Sequence, residues 1–124
     1  MANTNRILGN AIGLFIAMLY TLAGQAHFTS RLTPDLATNI EEMTTRSHRA
    51  FWFLQLSYLQ LKQLFGLFDL IAAGLLFRKS TRKAGLRIAV IGFSGGLYGQ
   101  VYTSGDVGQV AGFLGLACLG SILL

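Results

Sequence analysis

Charge is scarce in this sequence. Only 12% of the 124 residues are charged, ten Lys and Arg against five Asp and Glu. Hydrophobic residues make up 52%, and mean hydropathy is +0.53. Soluble domains carry about 25% charge, so the deficit excludes a disordered tail and argues against an ordinary soluble domain. A single Cys excludes a disulfide framework and argues against a Cys-based zinc or iron–sulfur centre. Two His are too few to ligate haem or zinc convincingly. No Gly-x-Ser-x-Gly elbow and no dinucleotide fingerprint after a strand is present. No metal and no cofactor is expected. The net charge of +5 would suggest nucleic acid in a soluble protein, but no exposed aromatics interleave with the cations, so no nucleic acid is expected.

The apolar residues fall in long runs. A bilayer core of about 30 Å needs about 20 mostly apolar residues per helix. Four stretches qualify, at about 7–27, 50–77, 86–102 and 107–124. Gly105-Asp106 marks the turn between the last two. The first run is not a good cleaved signal, because one cation precedes it and Gly24-Gln25-Ala26 is a poor cleavage site. The expected architecture is a single all-α domain over residues 1–124, a four-transmembrane-helix bundle. Between the first two spans, Thr33-Pro34-Asp35 reads as a helix start. Leu36, Ile40 and Met43 then share one face. That pattern predicts a short amphipathic helix, lying on the outer membrane surface or capping the bundle. Arg6, Arg78, Lys79, Arg82, Lys83 and Arg87 lie on one side of the expected membrane, against Arg31, Arg46 and Arg49 on the other. The bias predicts an integral, multi-pass protein with both termini cytoplasmic. It also suggests contact between the basic loop and anionic lipid headgroups. Gly92, Gly96, Gly108 and Gly112 repeat the spacing that lets helices approach closely in lipid. They read as packing faces, within the bundle or toward a second copy or membrane partner.

Charge inside a span is costly and therefore informative. Gln55, Lys62 and Asp69 are seven residues apart and form one stripe of the second span. Tyr58 lies close to it. Counted from Phe51, Lys62 is about 16 Å deep. Snorkelling recovers about 6 Å of that depth, so Lys62 is expected to face the bundle interior or a wet cavity. Lys62 and Asp69 are not expected to pair. Ser94, Tyr20 and Tyr98 are candidate partners for Asp69. His27, Lys62, Gln100 and Asp106 are expected to converge on one outward-opening cavity, a binding or proton-transfer site for a lipophilic small molecule. His48 is expected to be solvated, and Cys118 to pack as a small apolar residue.

Three segments resemble the DoxX-like superfamily of small four-helix membrane proteins. They are Leu22-Ala23-Gly24-Gln25-Ala26-His27-Phe28, the run Gly66-Leu67-Phe68-Asp69 through Leu76, and the basic turn Arg78 to Gly85. Asp69 stands where the family more often has Glu, and residues 28–50 show little of its pattern. The resemblance implies a redox-linked or accessory membrane role and points to His27 and Asp69. Lys62 has no counterpart in that pattern. Two functions follow as expectations. One is an accessory or redox-linked membrane component. The other is a membrane-embedded cyclase or isomerase acting on an isoprenoid, polyketide or quinone, with Lys62, Asp69 and His27 as acid–base groups and Gln55, Tyr58, Tyr98, Gln100 and Asp106 as binding residues. A transporter would require oligomers, since four spans are few for a carrier.

Overall fold

A computed structural model describes residues 2–124. Every regular element among the described residues is helical. The α-helices are α1 (Ala2–Phe28), α2 (Pro34–Ala50), α3 (Tyr58–Phe77), α4 (Arg82–Tyr102) and α5 (Gly108–Leu123). Short 3-10 turns at Trp52–Leu54 and Lys79–Thr81 lead into α3 and α4. Four helices pack in a closed cycle: α1 on α3, α3 on α4, α4 on α5, and α5 back on α1. Their shared core contains Ile12, Ile16 and Tyr20 of α1, Ala72 and Leu76 of α3, Leu86 and Ala89 of α4, and Ala117 of α5.

Much of the exterior is apolar. Among the described residues 25 large hydrophobic side chains are exposed, while 14 hydrophobic residues are buried. Ile122 at 80% exposure and Ile91 at 67% point away from every other helix. Soluble monomers rarely expose apolar surface on this scale. Two helices, α1 and α3, are long and apolar enough to cross a bilayer. Helix α5 is apolar but has 16 residues, and the 21-residue α4 carries Arg82, Lys83 and Arg87 in its first two turns.

The second apolar run is shorter than the sequence predicts. It becomes helical at Tyr58 rather than Ala50. Ser57 starts the helix with a capping box: its hydroxyl accepts from the Gln60 amide at 3.2 Å, and the Gln60 side chain accepts from the Ser57 amide at 3.0 Å. Upstream of it, Gln55 adopts the left-handed conformation (φ 56°) that closes the Trp52–Leu54 turn. Gln55 therefore lies off the stripe that Lys62 and Asp69 share. Helix α2 starts at Pro34 as the sequence predicts, although the Thr33 hydroxyl makes no capping bond.

One feature of the packing places the candidate site. Helices α1 and α3 run antiparallel but out of step. A Cβ at Gly24 would sit 3.3 Å from Asp69, and one at Gly66 would sit 2.8 Å from His27 and 2.6 Å from Phe28. So α1 ends level with Gly66. Helix α3 continues for eight more residues back to Tyr58, about 12 Å at the helical rise. This leaves a step at one end of the molecule, and α2 fills it. It packs on α1, α3 and α4, with Thr44 and Ala50 buried. Of the two placements the pattern allowed, α2 thus takes the capping one. At the other end the same register puts Phe77 level with about Ile16, so α1 overhangs α3 there too and Asn10 lies beyond the last turn of α3.

Arg82 locks that second end. Its Nε donates to the Leu76 carbonyl at 2.7 Å, one terminal nitrogen to Asn10 Oδ1 at 2.6 Å, and the other to the Phe77 carbonyl at 3.0 Å. The side chain is 7% exposed, and Gly13 leaves it room, because a Cβ there would lie 2.7 Å from Arg82 Cδ. The guanidinium satisfies orphan carbonyls at the α3 C-terminus, where a cation also suits the helix dipole. One of the six basic-side cations is thus a buried crosslink rather than a loop charge. The glycine ridges also resolve. A Cβ at Gly92 would meet Phe68 and Tyr20, and one at Gly96 would meet Val110. These two glycines face helices of the same chain. Near Gly108 only Asp106 is close, and Gly112 has nothing within 4 Å.

Candidate functional site

Within the seam between α1 and α3, Lys62, Gly66 and Asp69 occupy one face of α3 at spacings of four and three, as a helix requires. Gly66 admits the end of α1, which brings His27 onto Asp69. The His27 Nε2 to Asp69 Oδ2 distance is 3.4 Å, with the two side chains 5% and 14% exposed. Among the described residues this is the only contact between an acidic and a basic side chain. The His27 ring also stands edge-on to Phe65, with centroids 6.2 Å apart. Its other nitrogen, Nδ1, is buried without a protein partner. A buried polar atom left unpaired is costly, so this nitrogen is a place where a further hydrogen-bonding group would be stabilised.

Asp69 is eleven residues from the start of α3 and eight from its end. It is therefore the most central charge in the helix, about 12 Å from the nearer end. The partners expected from the sequence are engaged elsewhere. Tyr20 donates to the Ala89 carbonyl, Ser94 to Val90 and Tyr98 to Ala50.

Above the His27–Asp69 contact, the step between α1 and α3 encloses a cavity of about 260 Å³. Its walls come from the end of α1 (Ala26, Phe28), the following loop (Thr29, Ser30), α2 (Ala37, Ile40, Glu41, Thr44) and Lys62. Lys62 is half-buried, and among the described residues its side chain has no hydrogen-bond partner. It lies four residues into α3, not eleven residues below an interface. Its depth from the helix start is about 6 Å, within the reach of its own stem. Lys62 and Glu41 place one charge of each sign on the wall of a polar, partly open cavity. The pattern of α2 gave no sign of Glu41, because an exposed acid on an amphipathic helix ordinarily faces solvent.

Other expected site residues lie elsewhere. Gln100 accepts from Arg46 at 3.5 Å, and Asp106 accepts from the Gly108 amide at the start of α5 at 2.9 Å. Neither lines the cavity, and neither does His27, whose ring faces α3. Four residues expected to converge thus divide into a cavity wall (Lys62), a buried dyad (His27 with Asp69), an α2–α4 contact (Gln100 with Arg46) and a local bond at the start of α5 (Asp106). Tyr98 belongs to an aromatic cluster with Phe51, Phe53 and Tyr102. The Tyr58 hydroxyl is buried without a partner, and its ring stands edge-on to His48 at 6.3 Å. His48, expected in solvent, instead meets the Leu56 carbonyl at 2.8 Å. Among the described residues no group of three His, Cys, Asp or Glu is placed to hold a metal. Comparison with protein-family models, with curated proteins and with solved structures finds no match to this chain.

Proposed function

We propose that this chain is a multi-pass membrane protein of the DoxX-like kind, with four spans formed by α1, α3, α4 and α5 and both termini cytoplasmic. We propose further that it is an accessory or redox-linked component that holds an amphipathic small molecule in the α1–α2–α3 cavity. The bilayer is its solvent. The apolar exterior supports that reading, as do the cations gathered at the end opposite α2. Lys62 and Glu41 would engage the polar end of the ligand, and the apolar surround would face its lipophilic part. The observation that carries the proposal is the His27–Asp69 contact, a paired acid and base sealed in the seam beneath a cavity lined by Lys62. An ionisable pair within a membrane span is costly to bury and is therefore a candidate functional site. The open side of α5 around Gly112 is the surface left for a second copy or membrane partner.

The same dyad favours a second reading. A His oriented by a carboxylate, with its far nitrogen unspent, is a competent general acid or base. Lys62 on the cavity wall would supply a further polar group for a cyclase or isomerase acting on an isoprenoid, polyketide or quinone. The first reading predicts that Lys62→Met retains helicity and assembly while losing the bound lipophile, and the second predicts that Asp69→Asn retains the lipophile while losing its turnover. The measurement is mass spectrometry of organic extracts from protein purified out of its native membrane. Loss of assembly in both variants would assign the polar groups to structure alone. Turnover of the extracted lipophile by purified protein would separate the second reading from the first.

A further inference from the structure

The overhang of α1 at the basic end builds a second recess, a groove of about 450 Å³. It is walled by Arg6 and Asn10 of α1 and by Lys79 and Lys83 around the turn into α4, with Ile7 and Leu124 as its apolar sides. Three cations from two separate parts of the chain face one space. No acidic side chain lines it. Of the five acids, Asp35, Glu41, Glu42 and Asp106 belong to the α2 end, and Asp69 is in contact with His27. Among the described residues, none of the three cations makes a salt bridge or a side-chain hydrogen bond. Arg82, the cation between them, is spent on helix ends, and in bonding Asn10 it fixes that amide by its oxygen. The NH2 end of Asn10 is then left as a donor. The groove offers donors and positive charge on one side and an exposed apolar residue, Ile7 at 70%, on the other.

We infer that this groove binds the phosphate of an anionic phospholipid, with Arg6, Lys79, Lys83 and the Asn10 amide around the headgroup and Ile7 against the start of an acyl chain. The chemistry is that of basic pockets between membrane helices, which neutralise a phosphate at the interface where surface potential already concentrates anionic lipid. This inference rests on the membrane reading above but not on the α1–α2–α3 cavity. Its ligand, position and residues are separate from that site.

The test is native mass spectrometry of the full chain released from neutral detergent, with phosphatidylglycerol or phosphatidylcholine added. Bound phosphatidylglycerol is expected to exceed phosphatidylcholine by about tenfold. The double variant Lys79→Gln with Lys83→Gln is expected to lose that preference. Arg87→Gln, which removes an exposed cation outside the groove, is expected to keep it. Unchanged melting of both variants without lipid would show that the fold is intact. Equal binding of the two lipids, retention of the preference in the double variant, or its loss in Arg87→Gln would overturn the proposal. Glycerol 3-phosphate binding as tightly as the lipid would overturn the lipid as source and leave a free phosphate compound. Alkaline carbonate extraction separates the two levels. Release of the chain into the supernatant removes the membrane reading along with the lipid. Retention without phosphatidylglycerol preference overturns the groove alone.

Discussion

Replacing Arg82 by Met removes one charge from a cluster in which, by sequence, every cation is equivalent. The structure predicts that this one is not. Three hydrogen bonds, at 2.7, 2.6 and 3.0 Å, leave the guanidinium for two α3 carbonyls and for Asn10. Hydrogen bonds to a charged group are worth about 1.5–3 kcal/mol each. Some of that sum is recovered in the variant, because terminal carbonyls near an interface find water. Met keeps the stem that packs over Gly13, so the loss of packing is small. The expected cost is about 3–4 kcal/mol. Arg82→Lys retains the charge but not the planar fork, and is expected to lose about 2 kcal/mol. Lys83→Met and Arg87→Met, both exposed, are expected to fall within about 0.5 kcal/mol of wild type. Unfolding by SDS in mixed micelles, followed by circular dichroism, measures all four. A cost under 1 kcal/mol for Arg82→Met, or an equal cost for Lys83→Met, would refute the crosslink.

Further outcomes follow from the same packing. In a double-mutant cycle in the same micelles, His27→Leu and Asp69→Leu together should be less destabilising than the sum of the singles, with a coupling of about 1–2 kcal/mol; additive effects would mean that the 3.4 Å contact carries no energy. Gly66→Ala puts a methyl 2.6 Å from Phe28 and 2.8 Å from His27 and should cost about 1–3 kcal/mol. Gly112→Ala meets nothing within 4 Å and should stabilise α5 by up to about 1 kcal/mol, read as a shift of the same SDS midpoint in the opposite direction. Ser57→Ala removes half of the capping box and should cost about 1 kcal/mol, checked by the SDS midpoint and by faster hydrogen exchange over residues 58–61.

The helices were legible because their signals are local. Apolar runs gave α1, α3, α4 and α5, and Thr33-Pro34 gave the start of α2. The start of α3 was equally legible, since Ser57-x-x-Gln60 ahead of an apolar run is a capping signature, but the aromatic run Phe51-Trp52-Phe53 extends the hydrophobic stretch and masks it. That displacement altered the reading of Gln55 and made Lys62 look deeper than it is. What the sequence could not supply is register between helices. The His27–Asp69 contact joins residues 42 apart, and Asn10 to Arg82 spans 72. No local pattern encodes the offset of α1 against α3, and both recesses follow from that offset. Charge composition alone likewise could not tell a buried cation from an exposed one, because the positions of Arg82 and Lys83 on α4, one turned inward and one outward, depend on how α4 packs.

The proposed four-span arrangement puts α2 with its cavity and the Arg78–Lys83 turn with its groove on opposite sides of one membrane. Single cysteines at Asp35 and Ser80, introduced with Cys118→Ala, test it directly in sealed vesicles of known orientation. A membrane-impermeant maleimide is expected to label Asp35→Cys from one side and Ser80→Cys only after the vesicles are opened. Labelling of both from the same side would contradict the four-span arrangement and the placement of both sites.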